Sequence, residues 1–222
     1  PLSVWAFVPP FLASPDPLIA VLYVSALSLL TVIGVWWVAR ALFGAWAGIT
    51  AALVMATSPY AVLYGRSIWQ PNLLPVLSIA WLIGALLSLR HTGRAGWIGA
   101  GIVGLIGGAA VQVHFAGAAL ALASGYLLLR AYLRRPFTQL IACLIGGGLA
   151  LLTMLPYVGY ITVVDPRVLE QLSGLAGGGE SVIDLSGLAN VVRLALGWEW
   201  GFLGLGDIDP HGRSAVTALI AG

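Results

Sequence analysis

The residues with the most chemical reach lie in one polar stretch between two apolar runs, Tyr64-Gly65-Arg66-Ser67-Ile68-Trp69-Gln70-Pro71-Asn72. A guanidinium presents a fork of N–H donors that matches phosphate oxygens, so Arg66 is a candidate for an anionic ligand such as a lipid phosphate. Two other roles fit the same side chain: snorkelling to lipid headgroups, or pairing with an acid of segment 162–213. The amides of Gln70 and Asn72 can bind sugar hydroxyls, yet both residue types are common in turns. Asn72 also stands where it would cap the following helix. His114 can hydrogen-bond a phosphate or a sugar hydroxyl, shuttle a proton, or cap its own turn. Asp207-Ile208-Asp209-Pro210-His211 gathers two carboxylates and an imidazole. Hard-cation and zinc sites need more ligands than that run supplies, and a loop with an Asx turn before the last span is the better account, so no metal site is assigned. There is no Walker loop, HExxH, CxxC or GxSxG in the chain. Cys143 stands alone in an apolar run and reads as a small buried hydrophobe.

What must position these residues is set by composition. The chain is 60% hydrophobic and 8% charged, with a mean hydropathy of +0.99. A soluble domain carries about 25% charged residues, so this chain needs lipid as its solvent. All ten basic residues are Arg, and six of them fall in three short gaps that hold no acid: Arg40; Arg90 and Arg94; Arg130, Arg134 and Arg135. Seven of the eight acids lie in 162–213, where three Arg leave a formal charge of −4. This alternation follows the positive-inside rule. It places the loops at 40, 90–94 and 130–135 in the cytoplasm, and the turns at 65–72 and 113–115 outside with segment 165–213. The positive charge is thus a topology signal, and nucleic acid is not an expected partner. Arg66 is the one Arg in a short outer loop, against the rule.

The expected fold is all-α: a polytopic transmembrane bundle over 1–164, an outer segment of short amphipathic helices over 165–213, and a truncated further span over 214–222. A span needs about 20 apolar residues. Leu18–Ala39 is the first, started by Ser14-Pro15-Asp16-Pro17. Leu42–Tyr64 and Leu73–Leu89 follow. Ala95–Leu129 has no Asp, Glu, Lys or Arg over 35 residues. As one straight helix it would be about 52 Å long, so it reads as a hairpin of 96–112 and 116–133 turning near Gln112-Val113-His114. Phe137–Val164 is the sixth span, with Gly146-Gly147-Gly148 and Pro156 available for a kink or a close helix contact. Within 165–213, VLEQLSGLA and LSGLANVVRLALGW have helical spacing and lead to Trp198 and Trp200, as interfacial helices do. Trp36, Trp37, Trp81 and Trp97 read as packing and interface anchors. The start, PLSVWAFVPPF, carries no basic region or cleavage site of a leader, and the end, AVTALIAG, stops inside an apolar run, as expected of a piece of a longer protein.

The stretch ARALFGAWAGITAALVMATSPYAVLYGRSIWQPNLLPVLSIAWLIGALL resembles the GT-C membrane glycosyltransferases, in particular the group with protein O-mannosyltransferases and lipid A aminoarabinose transferases. The resemblance rests on R-x-L-F-G at Arg40–Gly44, Ser58-Pro59, Tyr64-Gly65-Arg66, and the IWQPN-x-L-P continuation of a bacterial subset. PPFLASPDPLIAVLYVSALSLLTVIGVWW is similar to that family's passage from its first outer loop into its next span. The resemblance implies a multi-pass protein of the plasma (inner) membrane that transfers a sugar, with inversion, from a polyprenyl-phosphate-linked donor to a protein, lipid or glycan acceptor on the outer face. It implies a catalytic Asp in the first outer loop, upstream of Pro1, so no residue here is assigned as catalytic. Arg66 and, second, His114 are then candidates for stabilising the leaving phosphate, with Gln70 and Asn72 beside them. No cofactor is firmly implied, although a divalent cation is compatible with the chemistry. Two other readings stay open: a transporter or flippase for a lipid-linked substrate, and a non-catalytic member of the same architecture.

Overall fold

A computed structural model describes residues 2–134 and 137–164. The described residues are helical, beginning with two short helices, α1 (Leu2–Trp5) and α2 (Val8–Ala13). The first long helix, α3, covers Pro17–Phe43. It starts as the sequence requires: Asp16 accepts from the Leu18 N–H at 2.9 Å, and Pro17 takes the first helical position. It does not stop at Arg40. It runs on to Gly44, whose φ of 97° is open to glycine at little cost. At 27 residues it is about 40 Å long, more than a bilayer core.

The run expected as one span over 42–64 is two helices, α4 (Ala45–Thr57) and α5 (Pro59–Tyr64). Pro59 disfavours the helical conformation at the residue before it, and Ser58 is extended at φ −60° and ψ 122°. A 3₁₀ turn over Gln70–Leu73 then leads into α6 (Leu74–Arg90). The hairpin forms as read. It consists of α7 (Gly93–Val113), a turn at His114, a 3₁₀ turn over Phe115–Gly117, and α8 (Ala118–Arg130). The last run is α9 (Phe137–Leu152), a turn at 153–154, α10 (Leu155–Gly159) and one π turn over Tyr160–Val164. The triple glycine lies within α9 without interrupting it, and the break comes next to Pro156. Four helical stretches are long and apolar enough to cross a membrane: Pro17–Phe43, Gln70–Arg90, Gly93–Val113 and Phe137–Val163. The second and fifth runs of the sequence reading give shorter apolar helices. The interfacial helices of 165–213 and the span expected from Ala215 lie outside the described residues.

The core sits around α7, which packs on α6, α8 and α9. Its approach to α9 is backbone to backbone. A Cβ on Gly104 would run into the Cys143 carbonyl, and one on Gly146 would run into that of Gly101. Polar side chains tie the helices where small residues leave room. Trp81 donates to the Ser124 hydroxyl at 2.7 Å, and Gln112 donates to the Ala150 carbonyl at 2.6 Å while accepting from Thr153 at 3.0 Å. Gln139, 1% exposed, donates to the His91 carbonyl at 2.9 Å and lies 3.2 Å from that of Ser88.

Lengthening a side chain in the α7–α9 seam has no room to relax into. Gly104→Leu is expected to destabilise the bundle by about 1–3 kcal/mol or more. Gly148→Ala, which meets nothing within 4 Å, should be near neutral. Thermal unfolding in detergent micelles checks the pair, and equal melting points would refute the packing argument.

Candidate functional site

The polar turn of 64–72 is a built structure. Gly65 lies against α3, where an added Cβ would stand 2.8 Å from the Ala61 carbonyl and 3.0 Å from the Ser28 hydroxyl. The Ser25 hydroxyl donates to the Gly65 carbonyl at 2.9 Å. Across the turn, the Asn72 amide nitrogen faces the carbonyls of Tyr64 at 2.6 Å and Ser67 at 2.8 Å, and the Ser67 hydroxyl at 2.9 Å. Its backbone N–H donates to the Trp69 carbonyl at 3.0 Å. Asn72 therefore spends its two amide hydrogens on the turn. The cap expected of it at the next helix is not made, since no side chain caps α6. Three rings stiffen the same turn: Tyr60 and Tyr64 stack at 6.3 Å, and Tyr64 meets Trp69 at 5.4 Å and 37°.

Arg66 is carried on this turn with an exposed side chain. Its guanidinium makes no hydrogen bond or ion pair with any described residue. Asp16 is the only acid among the described residues. Arg66 borders a cavity of about 270 Å³ shared with Ser25, Ser28 and Met55. A second cavity, of about 400 Å³, shares Ser28, Met55, Ala61 and Gly65 with the first and is closed by Tyr60, Tyr64, Trp69 and Asn72. Gln70 borders a third, of about 600 Å³, against α1 and α2. Cavities of these sizes suit small-molecule ligands.

His114 holds its Nδ1 3.2 Å from the Ala116 N–H, which it accepts, and its ring lies 4.2 Å from that of Phe115. Accepting at Nδ1 leaves Nε2 as the protonated nitrogen of the neutral ring, and so a donor. His114 borders none of the three cavities. It is nevertheless at the same end of the bundle. Its neighbour Val113 packs in one cluster with Phe7, Val24 and Leu73, and Leu73 adjoins Asn72. The opposite end holds the basic gaps. There Arg90 donates to the Ala41 carbonyl at 2.9 Å, Arg40 lies 5.3 Å over the Trp36 ring, and Gln139 reaches His91. Arg66 thus stands apart from the Arg-rich end.

Some participants carried no clear signal in the sequence. Ser25 and Ser28, three apart in an apolar run, both turn to the Gly65 backbone. Trp69, to which the sequence assigns no role, borders two of the cavities. Gln112, read as part of the outer turn, is instead buried in α7 as a helix tie. Among the described residues no three of His, Cys, Asp and Glu converge as metal ligands. Asp207, Asp209 and His211 lie outside them.

The sequence pattern of the family described as dolichyl-phosphate-mannose-protein mannosyltransferase matches residues 14–160, which includes both turns. No curated protein and no solved structure gives a match.

Asn72→Ala removes the amide that closes the turn and takes a donor from the part-buried carbonyls of Tyr64 and Ser67. A loss of about 1–3 kcal/mol is expected. Hydrogen exchange should accelerate over 64–73 before the helices, and unchanged exchange there would show that the turn is held by something else.

Proposed function

Because the chain belongs to the dolichyl-phosphate-mannose-protein mannosyltransferase family, membrane glycosyltransferases of the GT-C type, we propose that it moves a sugar from a polyprenyl-phosphate-linked donor to a hydroxyl of a protein or glycan acceptor on the outer face of the membrane. One observation supports this most. The Arg66 guanidinium is unpaired among the described residues, borders a cavity, and lies at the bundle end away from the other described arginines. A cation so placed is suited to a phosphate.

In this reading the acceptor hydroxyl loses its proton to a general base and attacks the anomeric carbon. The bond from that carbon to the phosphate oxygen breaks, and the electron pair leaves with the polyprenyl phosphate. The base is a residue that the family resemblance places upstream of Pro1. Arg66 meets the charge that develops on the departing phosphate. It does so from a turn already held by Asn72, Ser25 and the tyrosines, so little reorganisation is needed at the moment of reaction. His114 offers its Nε2–H from the neighbouring turn as a second donor. Gln70 offers an amide to sugar hydroxyls, whereas Asn72 acts by holding the turn.

In the full-length protein Arg66→Ala should lower kcat for transfer from a polyprenyl-phosphate sugar by about 10²–10³-fold, the scale of removing one transition-state donor. Arg66→Lys should recover part of the rate, because the charge remains while the fork is lost. His114→Ala should cost less than Arg66→Ala. Wild-type turnover in Arg66→Ala would remove Arg66 from the reaction.

A further inference from the structure

Trp69 has an unusual situation for a large apolar side chain. It is 48% exposed, yet its position is fixed from two sides. The Asn72 N–H holds its carbonyl, and the Tyr64 ring, itself stacked on Tyr60, packs against the indole. Its indole N–H makes no hydrogen bond among the described residues. The ring borders the 400 Å³ cavity, which shares Ser28, Met55, Ala61 and Gly65 with the one bordered by Arg66, and also the 600 Å³ cavity beside α1 and α2. In the 600 Å³ cavity the Gln70 amide and the Ser3 hydroxyl are likewise without partners among the described residues. An interfacial anchor accounts for an exposed Trp. It does not call for a clamped ring between two cavities, with unspent amide and hydroxyl groups on one side and an unspent guanidinium on the other.

Resting on the transferase reading, we propose that Trp69 is the platform on which the sugar of the lipid-linked donor packs, and that Gln70 reads that sugar's hydroxyls. A pyranose has an apolar face of C–H groups and a rim of hydroxyls. The C–H face suits the rigid indole, and the rim suits the Gln70 amide and the Ser3 hydroxyl. The phosphate then lies towards Arg66, and the acceptor approaches through the 600 Å³ cavity. Trp69 touches the sugar and neither the phosphate nor the lipid chain. It therefore sets preference for the glycosylated lipid over the bare one.

Equilibrium binding to the purified full-length protein tests this with two probes, a polyprenyl phosphate and the same lipid carrying mannose. The wild type should bind the mannosylated lipid more tightly. Trp69→Leu should remove about tenfold of that preference and leave the bare lipid within about twofold of wild type, the scale of one lost aromatic contact. Trp69→Phe should retain most of the preference, and Gln70→Ala should lose a smaller part. If Trp69→Leu does not fold, Trp69→His carries the same comparison alongside Gln70→Ala. Equal weakening of both lipids, or no change in either, overturns the platform. A wild type that prefers the mannosylated lipid but transfers nothing overturns the transferase reading and leaves the platform standing.

Discussion

Lipid tails are as apolar as the side chains that face them, so helices in a bilayer are not driven together by burial of hydrocarbon. Their association rests on how closely two backbones can approach. In this chain that constraint falls on α7, where Gly104 and Gly146 let the helix lie directly against α9. The other helices take their places from it. It packs on α6 and α8 as well as α9, and Val113 near its end helps seat Phe7, Val24 and Leu73. The candidate turn ends at Asn72, one residue before Leu73. A site of loops is thereby placed by a contact in the middle of the bundle.

The same solvent sorts the polar side chains. Inside the bundle they are spent on neighbouring helices: Gln112 on Ala150, Gln139 on His91, Ser124 on Trp81, Ser88 with Tyr132 at 2.8 Å. An amide or hydroxyl without a partner in hydrocarbon is costly, so such pairing is the rule. At one end, outside that buried network, Arg66, Gln70 and Ser3 have no side-chain partner among the described residues and each borders a cavity. Their grouping says more than any one of them. A single unpaired amide on a turn is ordinary, whereas a guanidinium, an amide and a clamped indole on one turn, each bordering a cavity, form a binding chemistry.

Much of this was legible in the residues. The start at Asp16-Pro17, the hairpin at His114 and the separation of the Arg-rich end from Arg66 follow from capping chemistry, length and charge. What stayed hidden was which face of each helix is buried. In α3 the buried positions are Ala20, Val24, Thr31, Gly34 and Val38, at helical spacing, but the lipid-facing positions are equally apolar and the pattern has no contrast. The break at Ser58-Pro59 was masked for a related reason. Proline is tolerated in membrane helices, so its presence alone did not divide the run over 42–64. Asn72 looked like a helix cap because its position fits one; its amide turns back instead to the part-buried carbonyls of Tyr64 and Ser67.

Arg66 is where topology and chemistry pull in opposite directions. A positive charge at the end of the bundle away from the Arg-rich gaps works against the charge asymmetry that orients a membrane chain, and no carboxylate pairs with it among the described residues. A surface Arg on a loose loop would satisfy itself with water and headgroups at the expense of order. This one sits on a turn whose backbone is closed by Asn72, seated on α3 through Gly65 and Ser25, and stiffened by a stack of rings. Ordering of the turn is therefore already complete before any ligand arrives. The free energy of phosphate contact is then available for holding the ligand, and for the charge that grows as it leaves, instead of for organising the loop. That economy explains why the pinning residues Gly65 and Asn72 matter to function without touching a substrate.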